Sequence, residues 1–505
     1  MMGFEALLQA LADIAGGGGI IYFLSGIVLG LCFGVIPGLG GTTALALLIP
    51  VTYGMVPLDA MYLAGGVMGS TAFGGSISAI LLNTPGTAPN AATTFDGYPL
   101  ARQGKAGLAI GAAACASSMG GVIGLLTLIL FIPIAKAIVL SFGPAEFFLL
   151  TILGLTAIAV SVRGKMLRGL IAGAVGLTLA FVGSDMILGD LRFTGGLNYL
   201  WDGVPLVPTL TGMFAISQMI ELALKGGSVA TVGDKDVAAM KITGVGEGVL
   251  AVFRHWPVLL RGSVIGTLIG AIPGLGGTVA SFLAYSSTVQ TDKHPETYGK
   301  GNIRGVIAPE SANNAKDGGS LIPTVAFGIP GSAETAIFLG ILVLHGMDPG
   351  PMILLQHEGE IYGLIVAITL ASVGASLLGL AISRFLVLIT RIDVGIVAPV
   401  VIAVSLTGVY VLEGRMADVL LTMIMGLVGY LMIRFDYPRL TLVIALVLGE
   451  TAERSFHQVQ QISDGHALQF ILGRPVATIL LLATLMTFLL PVARKLLEKR
   501  KVLRN

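Results

Sequence analysis

Residues 271–280 read AIPGLGGTVA, and residues 36–42 read IPGLGGT. Each string closes an apolar run that would otherwise continue as a membrane helix. Proline and glycine are the poorest residues for a helix interior, about 3 and 1 kcal/mol worse than alanine. The same break made twice calls for a common reason. Further landmarks follow in the same order. FGGSISAILLNTPGTAPN lies at 73–90 and DGGSLIPTVAFGIPGSAET at 317–335. Both carry Gly-Gly-Ser, an apolar stretch and a second Pro-Gly followed by a hydroxyl residue. VPLVPTLTGMFAISQMIEL at 204–222 then resembles DYPRLTLVIALVLGETAER at 436–454. The chain reads as a duplication: one repeat over 1–230, a linker at 231–244, a second repeat over 245–467, and a last helix with a basic tail at 468–505.

Of the 505 residues, 55% are hydrophobic and 11% charged, and the mean hydropathy is +0.91. A soluble chain carries about 25% charged residues. Runs such as 144–162, 361–383 and 416–433 approach or exceed the roughly 20 residues a helix needs to cross a bilayer. The alternation of a membrane β-barrel is missing. The expectation is an all-α polytopic membrane protein with about 10–12 membrane segments. The net charge of +1 gives no footprint for nucleic acid. Cys32 and Cys115 lie in apolar segments and read as packing residues. The N-terminal MMGFEALLQALADIAGGGG lacks the basic start of a signal peptide, the first basic residue being Arg102. It reads as an amphipathic surface helix and a glycine hinge.

Cytoplasmic loops collect Lys and Arg. In the first repeat the basic loops carry Arg102 and Lys105, then Arg163, Lys165 and Arg168, then Lys225, Lys235, Lys241 and Arg254. The loops between them carry only Lys136 and Arg192. In the second repeat the pattern reverses. Residues 345–360 have no Lys or Arg, whereas the next loops carry Arg384 and Arg391, then Arg434 and Arg439. This predicts repeats of inverted topology, with the N-terminus outside and the C-terminus in the cytoplasm. The segment 286–317, with Lys293, Lys300, Arg304 and Lys316, fits only if 256–290 is a re-entrant hairpin.

Freed backbone groups survive at membrane depth only inside protein or beside a wet cavity. A half-helix N-terminus there carries about half a positive charge and binds anions through its N–H groups. Broken helices at the midplane are a building plan of secondary transporters. The predicted anion site therefore comprises Gly38, Gly40, Gly41, Thr42 and Thr43 at the first break, and Asn83, Thr84, Pro85, Gly86 and Thr87 at the second. Gly274, Gly276, Gly277 and Thr278 supply the third break, and Gly331 and Ser332 the fourth. Isolated breaks of this kind also serve plain helix packing; their repetition favours a site. GLGGT lacks the Gly-Lys-Ser/Thr ending of a phosphate loop, so ATP is not expected.

The polar run PESANNAKDGGS at 309–320 precedes the fourth break. Asn313 and Asn314 could bind a carboxylate through NH₂ or a cation through C=O. Glu310, Asp317 and Ser320 are candidates for ion coupling. The alternative is a solvated loop. Glu221, Glu450 and Glu453 lie near helix ends and read as interface residues. No His or Cys motif offers a metal site beyond a possible Na⁺, and no cofactor is expected. No nucleophile–base set appears in the membrane segments, which argues against an enzyme.

The repeated IPGLGGT, the block KGNIRGVIAPESANNAKDGGSLIPTVAFGIPGS and the flanking FDGYPLARQGKAG resemble the large membrane subunit of tripartite tricarboxylate transporters, the TctA family. The resemblance runs over nearly the whole chain. It implies the translocating subunit of a binding-protein-dependent secondary importer of tricarboxylates or related organic carboxylates, in a bacterial inner membrane. It further implies two partners, a small TctB-like membrane subunit and a periplasmic TctC-like binding protein, without an ATPase. Na⁺ or H⁺ would drive transport, with exposed carbonyls and hydroxyls favouring Na⁺. A stand-alone symporter or an anion channel is the alternative.

Overall fold

The structure, a computed structural model, describes residues 2–161, 165–185, 189–225, 243–350, 352–390 and 392–502. Arg163, Lys235, Lys241, Arg391, Asn505 and residues 231–242 of the linker lie outside the described residues. The described chain is helical apart from one antiparallel ribbon, Gly183–Ser184 against Leu191–Arg192. Its first part runs α1 (Met2–Gly16), α2 (Gly19–Val35), α3 (Gly40–Val51), α4 (Pro57–Leu82), α5 (Ala91–Arg102), α6 (Ala106–Val139), α7 (Pro144–Ser161), α8 (Met166–Ala180) and α9 (Leu206–Lys225). Its second part runs α10 (Val245–Arg254), α11 (Trp256–Gly270), α12 (Gly276–Thr291), α13 (Arg304–Phe327), α14 (Ala333–Leu344), α15 (Glu358–Ile389), α16 (Val394–Glu413), α17 (Met416–Arg434) and α18 (Arg439–Ile462). The last helix is α19 (Pro475–Val502). The order helix, break, helix, long helix, break, helix, long helix is common to α2–α6 and α11–α15.

Six of the described helices are long and apolar enough to cross a membrane, and six more of 10–17 residues are apolar but shorter. Leu130, Leu167, Leu268 and Ile396 are more than half exposed, which suits lipid and not water. The chain is a multi-pass membrane protein. Glu5–Gly16 and Gly19–Val35 are bent by 83° across the predicted glycine hinge.

The centre is built on glycine. Gly26, Gly30 and Gly34 recur every fourth residue on α2, and Gly262, Gly266 and Gly270 do so on α11. A Cβ on Gly26 would lie 2.4 Å from Leu63 O, and one on Gly34 2.3 Å from Thr71 O. On Gly266 it would lie 2.4 Å from Ala312 O, and on Gly270 2.5 Å from Lys316 O. Thus α2 lies against the backbone of α4, and α11 against that of α13. Small-residue stripes permit this approach between membrane helices. The long helices then cross over, α6 covering α13 and α15 covering α4. The two parts of the chain are interlocked.

Residues 256–291 fold back as a hairpin. Arg261, near the start of α11, donates to Thr291 Oγ1 at the end of α12, and Ala284 packs with Val258 and Ile265. Both ends of the hairpin lie on one side, the condition the charge pattern set for 286–317. The solvated-loop alternative for 309–320 is overturned, because these residues lie within α13 and all are buried. Lys316 is therefore no loop charge. Arg439 is not one either, because its Nη1 donates to Met213 O at 3.0 Å and Ser217 Oγ at 2.7 Å. The receiving carbonyl belongs to a π-helical stretch of α9, Thr211–Ile216, where the regular i−4 ladder is shifted.

Ion pairs and hydrogen bonds gather the loops into groups. Asp96 of the FDGYPL motif accepts from the backbone N–H groups of Gly301 and Asn302 at 2.9 and 2.8 Å, and Gln103 Nε2 donates to Lys300 O at 2.7 Å. Lys165 and Arg168 reach Asp436 at 2.9 and 3.6 Å. Elsewhere Lys136 pairs with Glu358 at 2.8 Å, Arg474 with Glu146 at 2.6 Å and Arg192 with Glu453 at 2.6 Å. α6, at about 1.5 Å per residue, separates the Arg102 loop from the Lys136 end.

Gly266→Ala is expected to destabilise the protein by about 1–3 kcal/mol through overpacking. Gly359→Ala, with nothing within 4 Å of the added Cβ, should stay within about 0.5 kcal/mol of the parent. Melting curves of the detergent-purified variants check this; equal curves would remove the glycine stripe as the basis of the packing.

Candidate functional site

The four breaks converge on one cavity of about 580 Å³. Gly38, Leu39, Gly40, Gly41 and Thr42 line it from the first break, and Gly274, Leu275, Gly276, Gly277 and Thr278 from the third. Pro85 to Pro89 close one wall, and Ser332, Ala333 and Glu334 another. The first and third breaks have matching backbones. Gly38 and Gly40 have φ of 89° and 60°, and Gly274 and Gly276 of 84° and 65°. These are left-handed values that glycine adopts at little cost. They turn the chain so that α3 and α12 begin at the cavity, each without a side-chain N-cap. The orphan N–H groups of two half-helices thus share one space.

A charged cluster borders the same space. Lys316 Nζ lies 2.6 Å from Asp317 Oδ1 and also pairs with Glu334. A Cβ on Gly277 would lie 3.0 Å from Lys316 Cε, and one on Gly41 2.8 Å from Glu334 Oε1. Lys316 therefore faces the start of α12, and Glu334 faces the start of α3. Gln218, Glu221 and Lys225 of α9 and Leu440 of α18 complete the lining, with Lys225 and Glu221 paired at 2.8 Å.

Not every predicted residue reaches the cavity. Thr43 is buried beside it, and Gly331 packs against Ser320 and Gly270 O. Asn83 is the C-cap of α4 at φ 54° and exposed. Its work is to end the helix in the left-handed conformation that Asn tolerates. Thr84 Oγ1 donates back to Leu82 O at 3.2 Å. Ser332 lines the cavity, but its Oγ accepts from Thr335 N at 3.2 Å in a capping box. Asn313 and Asn314 are buried, and Asn313 Nδ2 and both amide atoms of Asn314 have no hydrogen-bond partner among the described residues. Such groups are rare in folded proteins. Asn313 Oδ1 comes within 3.3 Å of a Cβ placed on Gly277, while Asn314 faces Gly121 of α6. Asp317 is tied to Lys316, and Ser320 Oγ donates to Asp317 O at 3.1 Å.

Glu310 lies apart from the cavity among side-chain donors. Its carboxylate accepts from Ser76 Oγ at 2.6 Å, Ser117 Oγ at 2.8 Å, Thr93 Oγ1 at 2.5 Å and Asn90 Nδ2 at 3.4 Å. The reading of the sequence missed these donors, as it missed Glu334 and Gln218. The donors come from three helices and the turn before α5, all far from Glu310 in the chain, so no local spacing announces them. Glu334 had a signal: an acid in the first turn of a helix beginning at a break. Glu453, with Asp185 and His457, forms a compact group that could hold a metal ion; Arg192 Nη1 lies 3.1 Å from Asp185 and 2.6 Å from Glu453. An arginine already serves these carboxylates, so the group reads as an ion-pair network.

Residues 20–444 match the family described as the tripartite tricarboxylate transporter TctA family. The chain is 31% identical over 501 residues to an uncharacterized 52.8 kDa protein in the TAR-I ttuC' 3' region of Agrobacterium vitis, covering 99% of this chain and 97% of that protein. An uncharacterized protein in the TAR-II ttuC' 3' region of the same organism is 31% identical over 235 residues, which is 46% of this chain and 97% of the relative. No solved structure matches the chain.

If the breaks present N–H groups to an anion, Gly40→Ala and Gly276→Ala should each weaken carboxylate uptake about tenfold, or about 1.4 kcal/mol. The cause is backbone strain. The nearest atom to a Cβ on Gly40 is Thr87 Cγ2 at 3.5 Å, and none lies within 4 Å on Gly276. Gly359→Ala, with open space around the added Cβ, serves as the control, whereas a stripe glycine such as Gly26 would not, because it touches the α4 backbone. Asn314→Ala removes a buried amide with no partner among the described residues, so its stability should stay within about 1 kcal/mol while uptake falls at least fivefold. Normal uptake by all three variants would make the breaks and the amide packing devices.

Proposed function

The chain belongs to the tripartite tricarboxylate transporter TctA family, and we propose that it is the translocating subunit of a binding-protein-dependent importer of tricarboxylates or related carboxylates. The observation that carries this reading is the convergence of four helix breaks on one cavity. Two uncapped half-helix N-termini face it from different parts of the chain, with Lys316 facing the start of α12 and its partner Glu334 facing the start of α3. An organic carboxylate is the ligand this arrangement suits. Gly40, Gly41, Thr42, Thr87, Gly276, Gly277 and Thr278 hold it, and Asn313 supports the wall beneath Gly277. A Na⁺ or H⁺ gradient drives the step. A TctB-like small membrane subunit and a periplasmic TctC-like binding protein complete the system, in a bacterial inner membrane.

Residues 1–230 and 245–467 are repeats of opposite orientation in this reading, with the N-terminus outside and the C-terminus cytoplasmic. The loop contacts support it. The Arg102 loop meets 300–302, and the Lys165 loop meets Asp436; charge assigns all of these to the cytoplasm. The Lys136, Arg192 and Arg474 contacts join segments assigned to the outside.

In proteoliposomes holding both membrane subunits, with the binding protein added, labelled carboxylate uptake should saturate and require an ion gradient. Current or flux without an ion requirement would make the protein a channel. In cells carrying a variant with Cys32 and Cys115 replaced, a cysteine at Ala6 should react with an impermeant thiol reagent. One at Asn505 should not, and equal labelling at both positions would overturn the inverted orientation.

A further inference from the structure

We propose that Glu310, Ser76, Thr93 and Ser117 form a binding site for one Na⁺ ion, linked to the carboxylate cavity through Asn90 and Thr87. The starting point is the isolation of the Glu310 carboxylate. It is fully buried in the middle of a membrane-embedded bundle. Burying a carboxylate is costly unless it is paired or fully hydrogen-bonded. Glu146 and Asp418, also buried, face Arg474 and Arg415 at 2.6 and 3.1 Å. Among the described residues Glu310 meets no cationic partner, only neutral side-chain donors.

The kind of donor matters. Asp96 is also buried, but two of its donors are the backbone N–H groups of Gly301 and Asn302, which can only donate, and it has one hydroxyl, Tyr285 Oη at 2.9 Å. The shell of Glu310 consists mainly of hydroxyls, which donate to a carboxylate or turn a lone pair to a cation. Ser76, Thr93 and Ser117 together with both carboxylate oxygens make an all-oxygen set, and Ala72 O lies 3.0 Å from Ser76 Oγ. Oxygen-only sets select hard cations. A single carboxylate balances a single charge, and a divalent ion would leave a net charge buried. In the structure the hydroxyls satisfy the carboxylate; with Na⁺ bound they turn to the ion.

The site occurs once in the duplicated plan. Aligning Pro85-Gly86 with Pro330-Gly331 sets Gly65 opposite Glu310, and a Cβ on Gly65 would press on Ala367 at 2.7 Å. The counterpart position is filled by helix packing. The site ligands come from α4, α5, α6 and α13, so an ion there ties both parts of the chain together.

Asn90 supplies the link to the cavity. Its Nδ2 donates toward Ser76 Oγ at 3.0 Å and Glu310 Oε1 at 3.4 Å, and its Oδ1 accepts from Thr87 Oγ1. Thr87 lines the cavity. Turning Ser76 and Glu310 toward an ion reorders the donors of Asn90, and through its carbonyl the hydroxyl of Thr87. This link rests on the transport reading; the ion site does not.

The full-length protein in detergent, melted in NaCl against choline chloride at equal ionic strength, reads Na⁺ binding with no carboxylate present, because an ion bound to the folded state raises its melting temperature. The parent should show a saturable rise. Glu310→Gln should abolish it or move half-saturation at least tenfold, and Ser117→Ala at least threefold. Ser118→Ala, whose hydroxyl donates to Ala114 O and Ser372 O instead, should match the parent. If Glu310→Gln does not give monodisperse protein, Ser117→Ala and Thr93→Ala carry the test. No Na⁺ response in the parent, including a response to pH alone, overturns the site, as does an unchanged response in the site variants. Normal ion-driven uptake by Glu310→Gln overturns the link and leaves the transport reading standing. A Na⁺ response without carboxylate uptake does the reverse.

Discussion

Backbone laid against backbone is the contact on which the structure depends. Where Gly266 meets Ala312 O and Gly34 meets Thr71 O, an added methyl would come within 2.5 Å of a carbonyl oxygen. This brings α4 and α13 to the centre with α2 and α11 held against them. Once those helices are central, the breaks that end or precede them lie inside protein. Their freed N–H and C=O groups then escape the cost of hydrocarbon. The breaks and the glycine stripes are one design: without close packing the Pro-Gly segments would face lipid, and without the breaks the packed core would enclose no polar space.

The two parts of the chain share a framework and differ in charge. Both parts of the chain give a half-helix N-terminus with the same pair of positive-φ glycines. Aligning the second Pro-Gly of each repeat sets Thr71 opposite Lys316 and Pro89 opposite Glu334. These residues occupy related places: Thr71 and Glu334 meet Gly41, while Lys316 and Pro89 meet Gly277. One repeat therefore supplies both members of the Lys316–Glu334 pair, and the other supplies neutral groups in their stead. Glu310 follows the same pattern, with Gly65 as its uncharged counterpart. Half-helix N-termini from both parts face the cavity, and the Lys316–Glu334 pair, present in one part only, distinguishes its two faces.

Sequence alone determined the class, the duplicated landmarks and the positions of the breaks. These are local properties: helix length against bilayer thickness, and the inability of Pro-Gly-Leu-Gly-Gly to continue a helix. The glycines at 38, 40, 274 and 276 were legible because only a few residues tolerate their φ. Tertiary structure decided the rest. The run at 309–320 reads as polar enough for a loop, yet it forms a buried helix, because Lys316 meets Asp317 and Glu334 while Glu310 meets donors more than 190 positions away. Asn83, one of the expected ligands, ends α4 in a left-handed turn, and Ser332, another, lines the cavity while capping its own helix. A pattern can mark where a chain must turn. Which side chains then share a space depends on long-range packing, and packing sets the distances that make an isolated acid, lysine or amide a site.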